Sequence, residues 1–143
     1  MLSPPKIRSC ALDLLAYREH SKFELQQKLC RKGFAANDVK KVIEELAQQG
    51  LQSDSRFTES YINMRRKRGF GPRRIQMELR ERGIDMELND PEWSEWARTL
   101  RAKKFGEKIP QDFNERVREM RYLYYKGFTS EQIKEIMGRG LES

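Results

Sequence analysis

The chain has 143 residues, of which 37% are apolar and 36% charged, with a formal net charge of +7 and a sequence pI near 9.5. So lean an apolar fraction argues against one compact sphere and suits a flat or elongated helical body whose units touch only their neighbours. The basic excess points to an anionic partner: nucleic acid, a nucleoprotein or an acidic protein face.

In chain order, Pro4-Pro5 opens a first helix carrying Ile7, Ala11, Leu12, Leu14 and Leu15, which ends near Glu19-His20. Ser21 and Glu24 have capping-box spacing, each side chain satisfying a free backbone N–H at the start of a second helix. That helix bears Leu25 and Leu29 and stops at Gly33. Asn37 is placed to cap a third, with Val39, Val42, Ile43 and Leu46, closed by Gly50. Ser53 or Asp54 caps a fourth helix bearing Phe57, Tyr61, Ile62 and Met64. Gly69-Phe70-Gly71-Pro72 breaks it, and Pro72 begins a fifth that runs to about Arg82. The stretch from Gly83 to Pro91 is too short for another full helix. Pro91 starts a helix with Trp93, Trp96, Ala97 and Leu100, followed by a loop through Gly106 and Pro110. Asp112 and Glu115 make another capping-box pattern ahead of a helix with Val117, Met120, Leu123 and Tyr124 on its apolar side. Thr129 or Ser130 caps a last helix with Ile133, Ile136 and Met137 at core spacing.

The pattern is all-α and repetitive. Leu25 and Leu29 stand at the same distances before Gly33 as Ile75 and Leu79 before Gly83, and Leu123 gives a fainter echo before Gly127-Phe128. The step from Gly127 to Ile133 and Ile136 copies that from Gly33 to Val39 and Val42. Three helical units follow, 1–50, 51–90 and 91–143, with the third helix of the second unit short or missing.

Little here suggests chemistry. His20 is the single histidine, so metal sites and histidine-dependent triads have no ligand set, and no phosphate-cradling glycine loop or nucleophile–base pair occurs. Cys10 and Cys30 fall on apolar-periodic positions and read as packing residues in a reducing cytoplasm. Met1-Leu2-Ser3-Pro4-Pro5 is not a signal-peptide core, and no run approaches the ~20 apolar residues of a membrane span. The expectation is a cytoplasmic, monomeric binding protein without catalytic, cofactor or metal residues.

The binding candidates are cations. Arg65, Arg66, Lys67, Arg68, Arg73 and Arg74 straddle the Gly-Phe-Gly-Pro break with no acid among them. Positive charge at a helix C-terminus suits the dipole, which accounts for Arg65 to Arg68 without function; Arg73 and Arg74 sit at a helix start, where the dipole opposes them. The planar guanidinium fork suits phosphate and carboxylate, so the run reads as a docking surface for DNA backbone or an acidic protein rim. The sign then flips at Asp85, Glu87, Asp90, Glu92 and Glu95, a bipolar arrangement better matched to a protein than to naked duplex. A second basic set, Arg116, Arg118, Arg121 and Lys126, lies beside Tyr122, Tyr124 and Tyr125. Such interleaving suits stacking on unpaired nucleotides, although tyrosines of this kind more often form core edges whose hydroxyls reach solvent. Trp93 and Trp96 likewise read as core.

Asp54-Ser55-Arg56-Phe57, Tyr61-Ile62, Arg65, Gly69-Phe70-Gly71-Pro72, Arg74-Ile75, Glu78-Leu79 and Gly83-Ile84, in that order, resemble the RecX family of bacterial recombination regulators. Arg18-Glu19-His20-Ser21, Glu24-Leu25, Lys28-Leu29 and Gly33-Phe34 upstream, and Lys104-Phe105-Gly106, Pro110, Arg121, Leu123, Gly127-Phe128 and Ile133 downstream, extend the resemblance over nearly the whole chain. It implies a curved array of three tandem three-helix units that binds RecA filaments on single-stranded DNA and either suppresses strand exchange, ATP turnover and co-protease activity or dislodges the filament. The chain departs from the family between Gly83 and Pro91, where a full helix is usual. Arg65, Arg66, Lys67, Arg68, Arg73 and Arg74, with Arg116, Arg121 and Lys126, are the expected contacts to filament or DNA. The competing class is a stand-alone basic DNA-binding protein.

Overall fold

The computed structural model describes residues 4–138. Among them are eight helices and no strand: α1 (Pro4–Tyr17), α2 (Lys22–Arg31), α3 (Ala36–Gln48), α4 (Asp54–Lys67), α5 (Pro72–Glu81), α6 (Glu92–Phe105), α7 (Phe113–Lys126) and α8 (Ser130–Met137). Residues 84–90 are not helical, so the stretch 51–90 holds two helices where a third was in question. Met1 to Ser3, part of the stretch read for a signal sequence, lie outside the described residues, as do 139–143.

The helix starts follow local chemistry. Ser21 accepts from the Glu24 N–H at 3.1 Å while Glu24 accepts from the Ser21 N–H at 3.2 Å, completing the expected capping box. Ser53 Oγ takes the Arg56 N–H, Asp112 takes that of Glu115, and Thr129 with Gln132 forms another reciprocal box. Asn37 does not cap: Ala35 is the boundary residue, without a side-chain bond, and Asn37 lies within the first turn of α3. The backbone bond from Val39 N–H to Ala35 O begins that helix before Asn37 is reached. The first helix also stops earlier than its periodicity suggests, at Tyr17.

The chain forms two compact units, Met1–Asn63 with Leu79–Asp85, and Met64–Glu78 with Met86–Ser143. α4 and α5 each supply residues to both. In the first unit, Ile7 and Ala11 of α1, Leu25 and Leu29 of α2, Phe34, and Val39, Val42, Ile43 and Leu46 of α3 form the core, with Cys10 and Cys30 packed beside it as free thiols. Phe57 is buried, Tyr61 and Ile62 are half-buried, and Met64 is exposed, so α4 buries a narrower stripe than its spacing suggests. In the second unit α6, α7 and α8 pack around Trp93, Ala97, Leu123, Phe128, Ile133, Ile136 and Met137. At its centre lies an ion pair. Arg101, 2% exposed, donates to Glu119 at 2.6 Å and to the carbonyls of Gly106 and Glu107 at 2.7 and 3.0 Å, closing the loop after α6.

A polar knot joins α1 to α2. His20 is buried, with Nδ1 3.0 Å from the Arg18 carbonyl and Nε2 2.8 Å from the Lys28 ammonium. A carbonyl only accepts and an ammonium only donates, so the ring is neutral with its proton on Nδ1. Burial first, then the charges of Arg18 and Lys28, holds its pKa below 6.5 despite the bond to the Arg18 carbonyl. Burial acts to raise the Glu24 pKa, but hydrogen bonds from Arg18 and the Ser21 N–H and the Arg18 charge bring it below 4.5.

One contact recurs in both units at the same register. In the first, Ser21 Oγ at the head of α2 donates to the Arg82 carbonyl at 2.8 Å, and a Cβ on Gly83 would fall 2.6 Å from the Phe23 Cβ. In the second, Gly71 N–H at the head of α5 donates to the Lys126 carbonyl and Arg73 N–H to the Gly127 carbonyl, each at 2.8 Å. A Cβ on Gly71 would lie 2.6 Å from the Gly127 carbonyl carbon, and one on Gly127 would lie 2.5 Å from the Arg74 Cβ. Ser21 and Gly71 are equivalent positions of the repeat, and Arg82 and Lys126 each precede the closing glycine. The head of one repeat's second helix therefore clasps the glycine turn of the next.

Two outcomes are expected. Gly127 (φ +109°) and Gly33 (φ +98°) share the left-handed backbone that disfavours side chains, but nothing lies within 4 Å of a Cβ at Gly33. Gly127→Ala should therefore destabilise by about 1–3 kcal/mol more than Gly33→Ala in urea denaturation; equal losses would show that the close approach is not tight. For His20 and Glu24 the folded pKa is depressed, so the unfolded chain binds more protons as pH falls. Their stabilisation is complete above the unfolded values and lost below them, for His20 beginning near 6.5. Melts taken from about pH 8 to about pH 5 should decline more steeply for the unsubstituted chain than for His20→Gln.

Candidate functional site

The cations singled out from sequence divide into four kinds. Arg65 and Arg74 belong to a network about Phe70 and Glu78. Arg65 makes a two-pronged bond to Glu78, both contacts 2.8 Å, and its guanidinium carbon stands 4.0 Å from the centre of the Phe70 ring. Arg74 approaches the same carboxylate at 3.4 Å and the same ring at 4.3 Å. The Lys126 ammonium lies 4.8 Å from that ring, so α4, α5 and α7 each send a cation to one phenyl group. The electron-rich face and the one carboxylate relieve the repulsion that such crowding creates. This also explains how Arg74 is tolerated at a helix start: Glu78, one turn on, and Phe70 offset the unfavourable dipole.

Arg66 and Arg73 hold aromatic rings while remaining at or near the surface. Arg66 lies 5.1 Å from the Trp96 ring and 5.7 Å from that of Trp93. Arg73, exposed, stacks 4.3 Å from Tyr124 and donates to its carbonyl. Lys67, Arg68 and Arg121 are exposed, and none makes an ion pair among the described residues. These three, with Arg73, carry charge toward solvent.

Arg116 departs from expectation. It is 8% exposed and donates to the carbonyls of Pro110 at 3.0 Å and Met137 at 2.7 Å, closing the end of α8 onto the loop before α7. A guanidinium so enclosed serves as a structural staple. Its neighbour Arg118 is exposed, 5.7 Å from the Phe105 ring. The tyrosines also divide. Tyr122 packs edge-on against Phe105, ring centres 5.3 Å apart, as a core edge should. Tyr124 and Tyr125 do not: they are 52% and 72% exposed. Trp93 is buried and Trp96 half-buried, consistent with a core role.

α7 thus turns two charged residues, Arg116 and Glu119, inward beside Leu123, and leaves part of its apolar stripe outward. Arg116, Glu119 and Leu123 are its buried residues, whereas Val117 and Met120, expected in the core, are half-exposed. Two local signals competed on one helix, and spacing alone could not tell which stripe would meet α6 and α8. Phe70, which the sequence offered only as part of the Gly-Phe-Gly-Pro break, is the ring about which these cations gather.

The acidic residues are at the surface: Glu87, Asp90, Glu92 and Glu95 in the second unit, with Glu87 bonded to Asn89 and Glu95 to Arg98. Among the described residues no cluster of histidine, cysteine and carboxylate groups could hold a metal ion, and no helix is long and apolar enough to cross a membrane.

Comparison with known proteins accounts for the succession of helical domains. Family models for the first, second and third three-helix domains of RecX match residues 8–46, 53–89 and 90–137. The regulatory protein RecX of Halorhodospira halophila is 43% identical over 135 residues, covering 90% of this chain and 84% of the relative. That of Pseudomonas putida KT2440 is 39% identical over 148 residues, covering 98% and 95%. Among solved structures, RecX from Lactobacillus salivarius superposes with a TM-score of 0.78 at 23% identity, over 94% of each chain. A second RecX crystal structure gives 0.75 at 26% identity, over 94% of this chain and 72% of the other. With all three domains matched in order and curated relatives this similar along most of its length, the chain belongs to the RecX family of regulatory proteins.

Proposed function

We propose that this protein regulates homologous recombination and DNA repair by binding the filament that a RecA-type recombinase forms on single-stranded DNA. It acts in the cytoplasm as a monomer and restrains strand exchange, ATP turnover and co-protease activity by occupying the filament, without chemistry of its own. The observation that carries this reading is the convergence of cations from α4, α5 and α7, distant in sequence, around Phe70 and Tyr124 in the second unit. Acidic protein surface or phosphate backbone is the natural counterpart. The exposed Glu87, Asp90, Glu92 and Glu95 favour a protein over bare duplex.

The residues that meet the partner are best chosen from the exposed cations. Reversing Arg74 would set a carboxylate beside Glu78 and disturb the Phe70 network, confounding binding with folding. Lys67→Glu, Arg68→Glu and Arg73→Glu together should weaken inhibition of the RecA single-stranded DNA-dependent ATPase by about tenfold or more, with unchanged helicity. Full inhibition by this variant would remove the basic segment from the mechanism. Adding the protein before and after filament assembly separates a block on growth from removal of a formed filament.

A second reading, direct single-stranded DNA binding, is favoured by Tyr125, 72% exposed with Arg74 5.9 Å from its ring, which offers a base a face to stack on. Salt titration separates the two. Binding to naked DNA should fall steeply with salt as phosphate contacts release counterions, whereas filament binding should persist. Parallel salt slopes for DNA and filament would favour the second reading.

A further inference from the structure

The outward stripe of α7 is not an isolated oddity. Phe113, Val117, Met120 and Tyr124 follow one another at steps of four, three and four residues, the spacing with which one helix seats another. Over that span a helix rises ~16 Å, three turns of continuous apolar face. With Ile133 of α8 these side chains line a groove of about 380 Å³. Phe113 at its end is 63% exposed. Large apolar groups facing water cost free energy, while the adjacent face of the same helix buries Arg116 and Glu119. That inversion makes sense if the stripe is covered in the working assembly.

The rim states what covers it. Arg121 of α7 and Lys134 of α8 line the groove, neither paired with a carboxylate among the described residues, and Arg73 stacks on Tyr124 at its edge. No lining side chain is acidic. We propose that the α7–α8 groove seats an amphipathic helix of the recombinase, whose apolar residues fill the stripe and whose flanking carboxylates meet Arg73, Arg121 and Lys134. This rests on the reading of the chain as a filament regulator. It adds a second, apolar grip, distinct from the exposed Lys67 and Arg68.

The test places a photo-crosslinking phenylalanine analogue at position 113 of the full chain and irradiates it on RecA assembled on single-stranded DNA. The expected product joins position 113 to a recombinase peptide that has apolar residues three and four apart and Asp or Glu beside them. Crosslinks to nucleotide, to a second copy of this chain or to its own residues 139–143 would overturn the proposal. So would the absence of any crosslink from a variant that still binds and inhibits the filament. Failure of the unsubstituted chain to bind the filament would instead overturn the functional reading beneath it. As an independent arm, Met120→Glu should weaken filament binding about tenfold, with an unchanged melting temperature because Met120 is half-exposed. Unchanged affinity in that variant would also refute the proposal.

Discussion

The close backbone approach at Gly71 and Gly127 is the constraint on which the second unit depends. Two N–H groups at the head of α5 bond to carbonyls at the end of α7, and the separation leaves no space for a Cβ on either glycine. Because these bonds join main chain to main chain, they fix where α5 begins relative to the α7–α8 turn, whatever side chains surround them. The first unit solves the same problem with Ser21 Oγ on the Arg82 carbonyl and with Gly83 against Phe23. A serine hydroxyl replaces a backbone N–H, yet the register is kept. Repeat architecture at this level is a repeated joint as much as a repeated helix.

The joint also organises the charge. Bringing α5 onto the end of α7 sets Arg74, Lys126 and Arg65 about one phenyl ring, and Arg73 onto Tyr124. Some of the basic run is thereby consumed: Arg65 and Arg74 share Glu78, and their contribution to any partner is indirect. Others, notably Lys67 and Arg68, remain in solvent. The cluster is thus graded across the two helix ends that sequence distinguished, with an inner layer that holds the turn and an outer layer in solvent. The apolar stripe of α7 lies beside that outer layer, since Tyr124 belongs to both.

Much of the fold was legible. The capping signals at Ser21, Asp112 and Thr129 and the core spacing of Leu25, Leu29, Ile75 and Leu79 act within one or two turns, and the structure keeps them. The missing helix after Gly83 was visible from chain length alone. Asn37 was misread because a capping side chain does not by itself set a helix start: the boundary falls at Ala35, which has none, and Val39 enters the core one turn later. The candidate site was less legible. Arg116 and Arg121 look alike in sequence, five residues apart on one helix, yet one is enclosed by two carbonyls and the other faces water.

What the sequence by itself determined is the set of helices, their repetition, the family and the location of positive charge, because each depends on neighbours along the chain. What the tertiary structure alone decided is which face of α7 turns inward, which arginines are spent on carbonyls and carboxylates, and that Phe70 gathers cations from three helices. Those outcomes depend on groups far apart in sequence meeting at hydrogen-bond and van der Waals distance. A helical period reports that a stripe exists; the neighbour that covers it comes from elsewhere in the chain, or from another protein.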